Sequence, residues 1–272
     1  MLSVLNNISS LQAESALNTT QMSLNNTLEQ LSTGQRINSG ADDPAGLAIA
    51  NGLEANVTAL TQSVQNATDG VGMLQVADGA LSQITTLLNQ AVTVATESAN
   101  GTVSNSQRGA LDNEFQSILS EINTIGANTT YNGQAVFGSG TLTIFMSDSS
   151  GAGTTSITVN MAAVSASSLT LSGDSLTTAA TAQTALTAIN TAIAAVAALR
   201  GNLGASSNQL QAATNVMNDQ ITNVQSAESG IMDANIGVTT ANLSKFSILQ
   251  QTGIAALQQS NQMQQGVLKL LQ

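Results

Sequence analysis

The sequence predicts a mainly α protein: a long antiparallel coiled coil or helical bundle formed by the N- and C-terminal halves, with a small β region in the middle. Three observations predict it. Apolar residues recur at alternating steps of four and three through both halves, the signature of helices packed on helices. The period falls to two only between Tyr131 and Leu176. Aromatic side chains, which thicken the core of a layered globule, are scarce: four Phe, one Tyr and no Trp in 272 residues.

The elements follow in order. In residues 2–31, Val4, Ile8 and Leu11 keep a four-three spacing, as do Leu24, Leu28 and Leu31, with a phase slip between them like a heptad stutter. Gly34 reads as a C-cap and Asn38-Ser39-Gly40 as a turn. Asp43 is placed to N-cap the next helix, with Pro44 at its first position, where the missing N–H costs nothing. Asp42 and Asp43 suit the positive end of that helix dipole, so this acidic pair reads as helix initiation and not as a metal site.

From Leu53 the seam becomes regular: Leu53, Val57, Leu60, Val64, Ala67, Val71, Leu74, Asp78, Leu81, Thr85, Leu88, Val92, Ala95. At about 1.5 Å per residue it runs roughly 64 Å. Gly70, Gly72 and Gly79 weaken the helix locally and suggest a kink. After the Asn100-Gly101 break, Leu111, Phe115, Ile118, Ile122 and Ile125 repeat the spacing. The matching seam of the second half is Leu186, Ile189, Ile193, Val196, Arg200, Leu203, Ser207, Leu210, Thr214, Met217, Ile221, Val224, Glu228, Ile231. A terminal helix is expected from about Thr240 to Leu271.

In the middle, Asn132-Gly133 and Gly138-Ser139-Gly140 are turn signals. Alternation in Leu142, Ile144, Met146, in Ile157, Val159, Met161 and in Leu169, Leu171 predicts short strands.

Composition excludes several functions. Sixteen acidic residues against five basic ones (Arg36, Arg108, Arg200, Lys245, Lys269) leave a net charge of -11. Such a chain repels phosphate, so nucleic acid is not an expected partner, and anionic membrane surfaces are disfavoured. No run reaches the roughly 18 apolar residues of a membrane span, and no basic residue or unbroken apolar stretch near the N-terminus reads as a secretory signal. With no His and no Cys, the usual bases and nucleophiles of hydrolytic triads are missing, so no catalytic residue and no cofactor is assigned. Asp148 and Asp174 sit near glycines and could bind Ca²⁺, but isolated loop carboxylates are ordinarily only solvated, so no metal site is assigned.

The apolar stripes of the chain ends are thin, interrupted by Gln, Asn, Thr and Ser. Ends so poor in apolar surface are expected to be disordered alone and to fold when neighbouring copies bury them. The competing reading is an ordinary bundle with both ends docked within the molecule.

Several motifs resemble one family. Leu31-Ser-Thr-Gly-Gln-Arg-Ile-Asn-Ser-Gly-Ala-Asp-Asp-Pro-Ala-Gly-Leu-Ala-Ile-Ala50 closely resembles the N-terminal motif of bacterial flagellins. Asn66-Ala-Thr-Asp-Gly70, Asp78-Gly-Ala-Leu81, Glu97-Ser-Ala-Asn100 and Tyr131-Asn-Gly133 continue the likeness. Leu199-Arg-Gly-Asn-Leu-Gly-Ala205 with Asn208, then Ile248-Leu-Gln-Gln-Thr-Gly253 and Asn261-Gln262, resemble the C-terminal core. The likeness covers roughly residues 1–137 and 180–272, with a middle much shorter than in large flagellins.

The resemblance implies a secreted, extracellular homo-polymer, the flagellar filament of motile bacteria. It implies inner-tube helices at 1–36 and 236–272, a surrounding wall from 37–130 and 179–235, and an exposed β-rich region at 131–178. Implied partners are the flagellar export apparatus, a C-terminal export chaperone, and cap and hook-associated proteins. Inner-tube packing and polymerisation fall to Val4, Ile8, Leu11, Leu24, Leu28, Leu31, Phe246, Leu249, Leu257, Val267, Leu268 and Leu271. The wall seam falls to Leu53, Val57, Leu60, Val64, Leu74, Leu81, Leu88, Ile189, Ile193, Val196, Leu203 and Leu210. Where family members that activate the innate immune receptor for flagellin carry arginines, this chain has Gln90, Val92 and Ile118, although Glu114 matches; weak or no activation is expected.

Asp78 and Arg200 interrupt apolar seams. They either set register as an ion pair or extend separately to solvent. Two other functions fit parts of the sequence: a hook–filament junction protein of the same apparatus, and a secreted adhesin with a helical stalk.

Overall fold

In the computed structural model, residues 7–138, 140–147 and 155–270 are described. The expectations placed on Val4, Asp148 and Leu271, and on the side chains of Val267 and Leu268, lie outside the described residues. Among the described residues the helices are α1 (Ile8–Thr33), α2 (Pro44–Ala99), α3 (Asn105–Asn128), α4 (Ala179–Met232) and α5 (Ile236–Leu270). Between α3 and α4 lie two antiparallel hairpins, β1 (Thr130–Tyr131) with β2 (Gln134–Ala135), and β3 (Gly140–Met146) with β4 (Thr155–Met161). The fold is mainly helical with a small β middle, as the periodicities predicted.

Local chemistry sets the ends. The Asn7 side chain accepts from the Ser10 N–H at 3.1 Å to start α1, and Gly34 ends it in the left-handed conformation at φ 74°. Asp43 Oδ1 accepts from the Gly46 N–H at 2.9 Å and so caps α2. Asp42 serves the preceding turn, accepting from the Asn38 N–H, the Ser39 N–H and the Ser39 hydroxyl. Those hydrogen bonds, led by the Ser39 hydroxyl, hold its carboxyl below the ordinary value. Ser104 and Gln107 form a capping box at α3.

The chain divides into two compact units, Asn56–Thr222 and Met1–Ala55 with Asn223–Gln272. The division falls inside α2 and α4, whereas positions 36 and 235 lie at the breaks between helices.

The first unit holds nearly all of the core. Leu60, Leu74, Leu81 and Leu88 of α2 share it with Ile189, Val196, Leu203 and Leu210 of α4, and Val64 and Ile193 pack half-buried against it. Partners descend on one helix as they ascend on the other: Gly70 faces Leu210 and Asp78 meets Arg200, so the pair is antiparallel. Phe115, Ile118, Leu119 and Ile122 of α3 complete the helical part. One window of α4 reaches a mean hydropathy of 1.5, which makes it the one helix among the described residues apolar and long enough to cross a membrane by composition. Alanine supplies much of that apolarity, and its large side chains Ile189, Val196, Leu203 and Leu210 enter this core.

The helix α2 is continuous from Pro44 to Ala99, through all three glycines expected to weaken it. A β-carbon at Gly70 would collide with Ile144 of β3, and one at Gly72 would lie 3.0 Å from the Tyr131 hydroxyl, so both glycines admit the β region against the helix. One expectation is corrected: Leu169 and Leu171 are buried, but no strand forms there. Thr170 between them adopts φ 60°, so a turn produces the same alternation of buried and exposed side chains. The other two strands pair as Leu142 with Val159 and Ile144 with Ile157. Asn132 and Gly133 both have positive φ in a two-residue hairpin.

Candidate assembly surface

The second unit is built on α1 and α5. Asn7 Nδ2 donates to Gln264 Oε1 at 3.1 Å, the Ser10 hydroxyl to Asn261 Oδ1 at 3.3 Å, and Gln250 Nε2 to Gln21 Oε1 at 2.5 Å. The partner number falls on α5 as it rises on α1, so this pair too is antiparallel. Its seam on α1 runs through Ser10, Ala13, Leu17, Thr20, Leu24, Thr27 and Leu31, of which Leu24 and Thr27 are buried and the others half-buried. On α5 it runs through Thr239, Leu243, Phe246, Gln250, Gly253, Leu257, Ser260 and Gln264. Both keep four-three spacing, yet hydroxyls and amides hold three of the seven places on α1 and four of the eight on α5. A β-carbon at Gly253 would sit 3.2 Å from Leu17 Cδ1, which shows how closely the helices approach.

The residues expected in inner-tube packing and polymerisation divide between this seam and the outer faces of the two helices. Leu24 is buried in the seam, and Leu31, Phe246 and Leu257 are half-buried, but Ile8, Leu11, Leu28 and Leu249 are exposed. Ile8 and Leu11 stand on the opposite side of α1 from Leu17 and Leu24, because a helix turns roughly 100° per residue. Reading only large apolar residues merges two faces of one helix. The small polar residues that mark the inner seam carry little hydropathic signal.

The result is an uneven distribution of apolar surface. Of fourteen exposed large apolar side chains among the described residues, eleven lie in this terminal unit, including Ile8, Leu11, Met22, Ile248, Ile254 and Met263. Of the thirty-eight described residues that are apolar and buried it holds three: Leu24, Ile37 and Ala50. Concentrated exposed apolar surface marks a surface that associates.

The connectors of this unit are tied together. Arg36 N–H donates to Met232 O at 2.6 Å, Ala234 N–H to Gly34 O at 2.9 Å, and the Arg36 guanidinium to Ile231 O. A cation therefore sits on the last carbonyls of α4, where the helix dipole is negative. In the long-helix unit Arg108, only 5% exposed, does the same for α2, donating to Ser98 O at 2.7 Å and Asn100 O at 2.8 Å. Sequence reasoning missed both; the available signal was an isolated arginine within a turn or two of a helix break.

Asp78 and Arg200 are brought together, Nε to Oδ1 at 2.7 Å and a guanidinium NH₂ to Oδ2 at 3.2 Å, a bidentate pair left part-exposed. The hydrogen bond from Arg200 holds the Asp78 carboxyl below its ordinary value, and Asp78 raises Arg200 in return. An open cleft of about 300 Å³ lies beside the pair, over Leu74, Leu203, Gly204 and Ser207. Lys245 stacks 5.8 Å above the Phe246 ring. Asp174 accepts no hydrogen bond at its buried Oδ2, and burial pushes its carboxyl up. No three Asp or Glu side chains gather into a possible metal site among the described residues.

Comparison with known proteins matches residues 4–142 to the bacterial flagellin N-terminal helical region, and residues 186–271 to the bacterial flagellin C-terminal helical region. Flagellin 1 of Proteus mirabilis is 42% identical over 130 residues, covering 48% of this chain and 36% of that protein. The B-type flagellin of Pseudomonas aeruginosa is 39% identical over 166 residues, covering 61% of this chain and 34% of that protein. The matched part thus spans about a third of the length of these curated relatives. Among solved structures, Bacillus cereus flagellin aligns with a TM-score of 0.50 at 30% identity, over 60% of this chain and 94% of that one. A putative flagellar hook-associated protein from Vibrio parahaemolyticus aligns with a TM-score of 0.58 at 16% identity, over 71% of this chain and all of that one, a likeness of fold alone.

Proposed function

The chain belongs to the bacterial flagellin family, and from that premise we propose that it is a structural subunit that polymerises into the flagellar filament. The observation that carries this reading is the distribution of apolar surface: among the described residues, the α1–α5 unit buries three apolar residues and exposes eleven large ones. Neighbouring copies would cover that surface, and the ordering of the chain ends would be completed by assembly. In the polymer, residues 1–36 and 236–272 form the inner tube, 37–130 and 179–235 the wall, and 131–178 the outer β-rich region. Ile8, Leu11, Leu28 and Leu249 then act between copies, whereas Leu24, Leu31, Phe246 and Leu257 act within one. Val4, Val267, Leu268 and Leu271 keep the assembly role assigned from sequence.

The same reading puts the protein outside the cell, exported unfolded through the flagellar export apparatus with a chaperone on its C-terminal segment, and added beneath a cap above the hook-associated proteins. It has no enzymatic activity, does not bind nucleic acid and does not insert into membranes. Gln90, Val92 and Ile118 support weak or no activation of the innate immune receptor for flagellin. Asp78 and Arg200 fix the α2–α4 register.

Seeded elongation followed by electron microscopy tests the function. Micrometre-long tubes grown from purified protein on filament seeds are expected. Monomer that never elongates favours the hook–filament junction, and a monomer with rigid ends that binds a soluble ligand favours the adhesin.

A further inference from the structure

Among the described methionines, two are exposed, Met73 and Met232 are half-buried and three are buried. Met22 and Met263 are 61% and 60% exposed, whereas Met146, Met161 and Met217 are 2%, 5% and 7% exposed and lie in the core of the long-helix unit. Met22 projects from the side of α1 that carries Ile8 and Leu11, away from the seam with α5, and Met263 lies on α5 outside its seam positions. Both thioethers are thus open to solvent in the single chain, on the unit that concentrates the exposed apolar surface.

We infer that Met22 and Met263 are peroxide-sensitive modification sites whose oxidation blocks addition of the subunit to a polymer; this rests on the assembly reading above. The chemistry needs hydrogen peroxide or another two-electron peroxide oxidant. The thioether sulfur attacks one peroxide oxygen, the O–O bond breaks, and the sulfur keeps that oxygen. The other oxygen leaves as water after taking up the proton. Sulfur is oxidised from sulfide to sulfoxide and the peroxide is reduced. A flexible apolar side chain becomes polar and chiral, and a sulfoxide reductase reverses the change. A sulfoxide that must be buried between copies opposes assembly because its oxygen loses its water partners. Once a neighbour covers the sulfur, access to oxidant is lost, so the free subunit is the vulnerable form and the polymer the protected one.

The test treats purified full-length monomer with dilute hydrogen peroxide, maps added oxygen by peptide mass spectrometry, and then measures seeded elongation. Met22 and Met263 are expected to oxidise before Met146, Met161 and Met217. Elongation should fall by about tenfold or more, the scale of withdrawing one apolar side chain from a buried contact. Methionine sulfoxide reductase should restore it, and the Met22→Leu, Met263→Leu double variant should elongate after the same treatment. Preformed polymer should retain both thioethers. Oxidised wild-type monomer that elongates normally, or a double variant that remains peroxide-sensitive, overturns the inference. Untreated monomer that fails to elongate on seeds overturns the assembly reading instead, and the order of oxidation still tests the accessibility of the two sulfurs.

Discussion

Two helical glycines give opposite expectations under the same substitution, and Gly126 is the more demanding of them. A β-carbon at Gly126 would collide with the carbonyl oxygen of Val164. That carbonyl has little room to retreat. Val164 and Ala166 are buried, and the Ala166 N–H donates to Asn123 Oδ1 at 2.8 Å, which pins the loop to α3. Overpacking of this kind costs about 1–3 kcal/mol, and loss of the pinning hydrogen bond adds about 1 kcal/mol. Better helix propensity returns at most about 1 kcal/mol. Gly126→Ala is therefore expected to destabilise the long-helix unit by about 1–3 kcal/mol. Gly79 is the internal control: it lies on an exposed face of α2, where an added β-carbon would meet nothing within 4 Å. Gly79→Ala should stabilise by about 0.5–1 kcal/mol through propensity alone. Urea denaturation of the full chain, followed by far-ultraviolet circular dichroism, reads both. A Gly126→Ala midpoint equal to or above that of Gly79→Ala would refute the packing of the 162–166 loop on α3.

Other perturbations separate the remaining interactions. Arg108→Met should destabilise by about 2–3 kcal/mol in the same denaturation assay, because it uncaps the Ser98 and Asn100 carbonyls. Leu11→Asp should leave the melting of the monomer within about 0.5 kcal/mol, since Leu11 is exposed there, yet seeded elongation should cease. Burial raises the Asp174 carboxyl above its ordinary value of 3.8, so its ionised form opposes folding at neutral pH and the penalty fades as pH falls through the raised value. Asp174→Asn should accordingly raise the melting temperature at neutral pH, and the gain should vanish below about pH 3.8. Asp78 has the opposite sign: its carboxyl is lowered, so its small contribution persists above 3.8 and disappears as pH falls through the lowered value. A thermal-melt series of Asp78→Asn against the parent should converge under acid.

Much of this molecule is legible along the chain. Four-three spacing from Leu53 to Ala95 and from Leu186 to Ile231 specifies two long helices, because a stripe repeating every 3.5 residues has to face a partner. Asp43-Pro44 and Gly34 mark helix ends through backbone chemistry that is local, and Asn132-Gly133 marks a hairpin for the same reason. The motifs around Leu31–Ala50 and Leu199–Ala205 identify the family without any coordinates. Where one side chain satisfies one neighbour in sequence, the sequence is enough.

Tertiary structure decided whatever depends on which distant surfaces approach. Periodicity could not choose between the Leu17–Leu24–Leu31 face of α1 and the Ile8–Leu11 face, since both are apolar and only the position of α5 distinguishes inside from outside. Spacing alone left Asp78 and Arg200 either paired or apart; the antiparallel register, a property of two helices together, places their charged groups 2.7 Å apart. Gly70 and Gly72 are weak points of an isolated helix but sites of close approach beneath β3 and Tyr131. Local propensity is a property of a segment, whereas burial is a property of a pair.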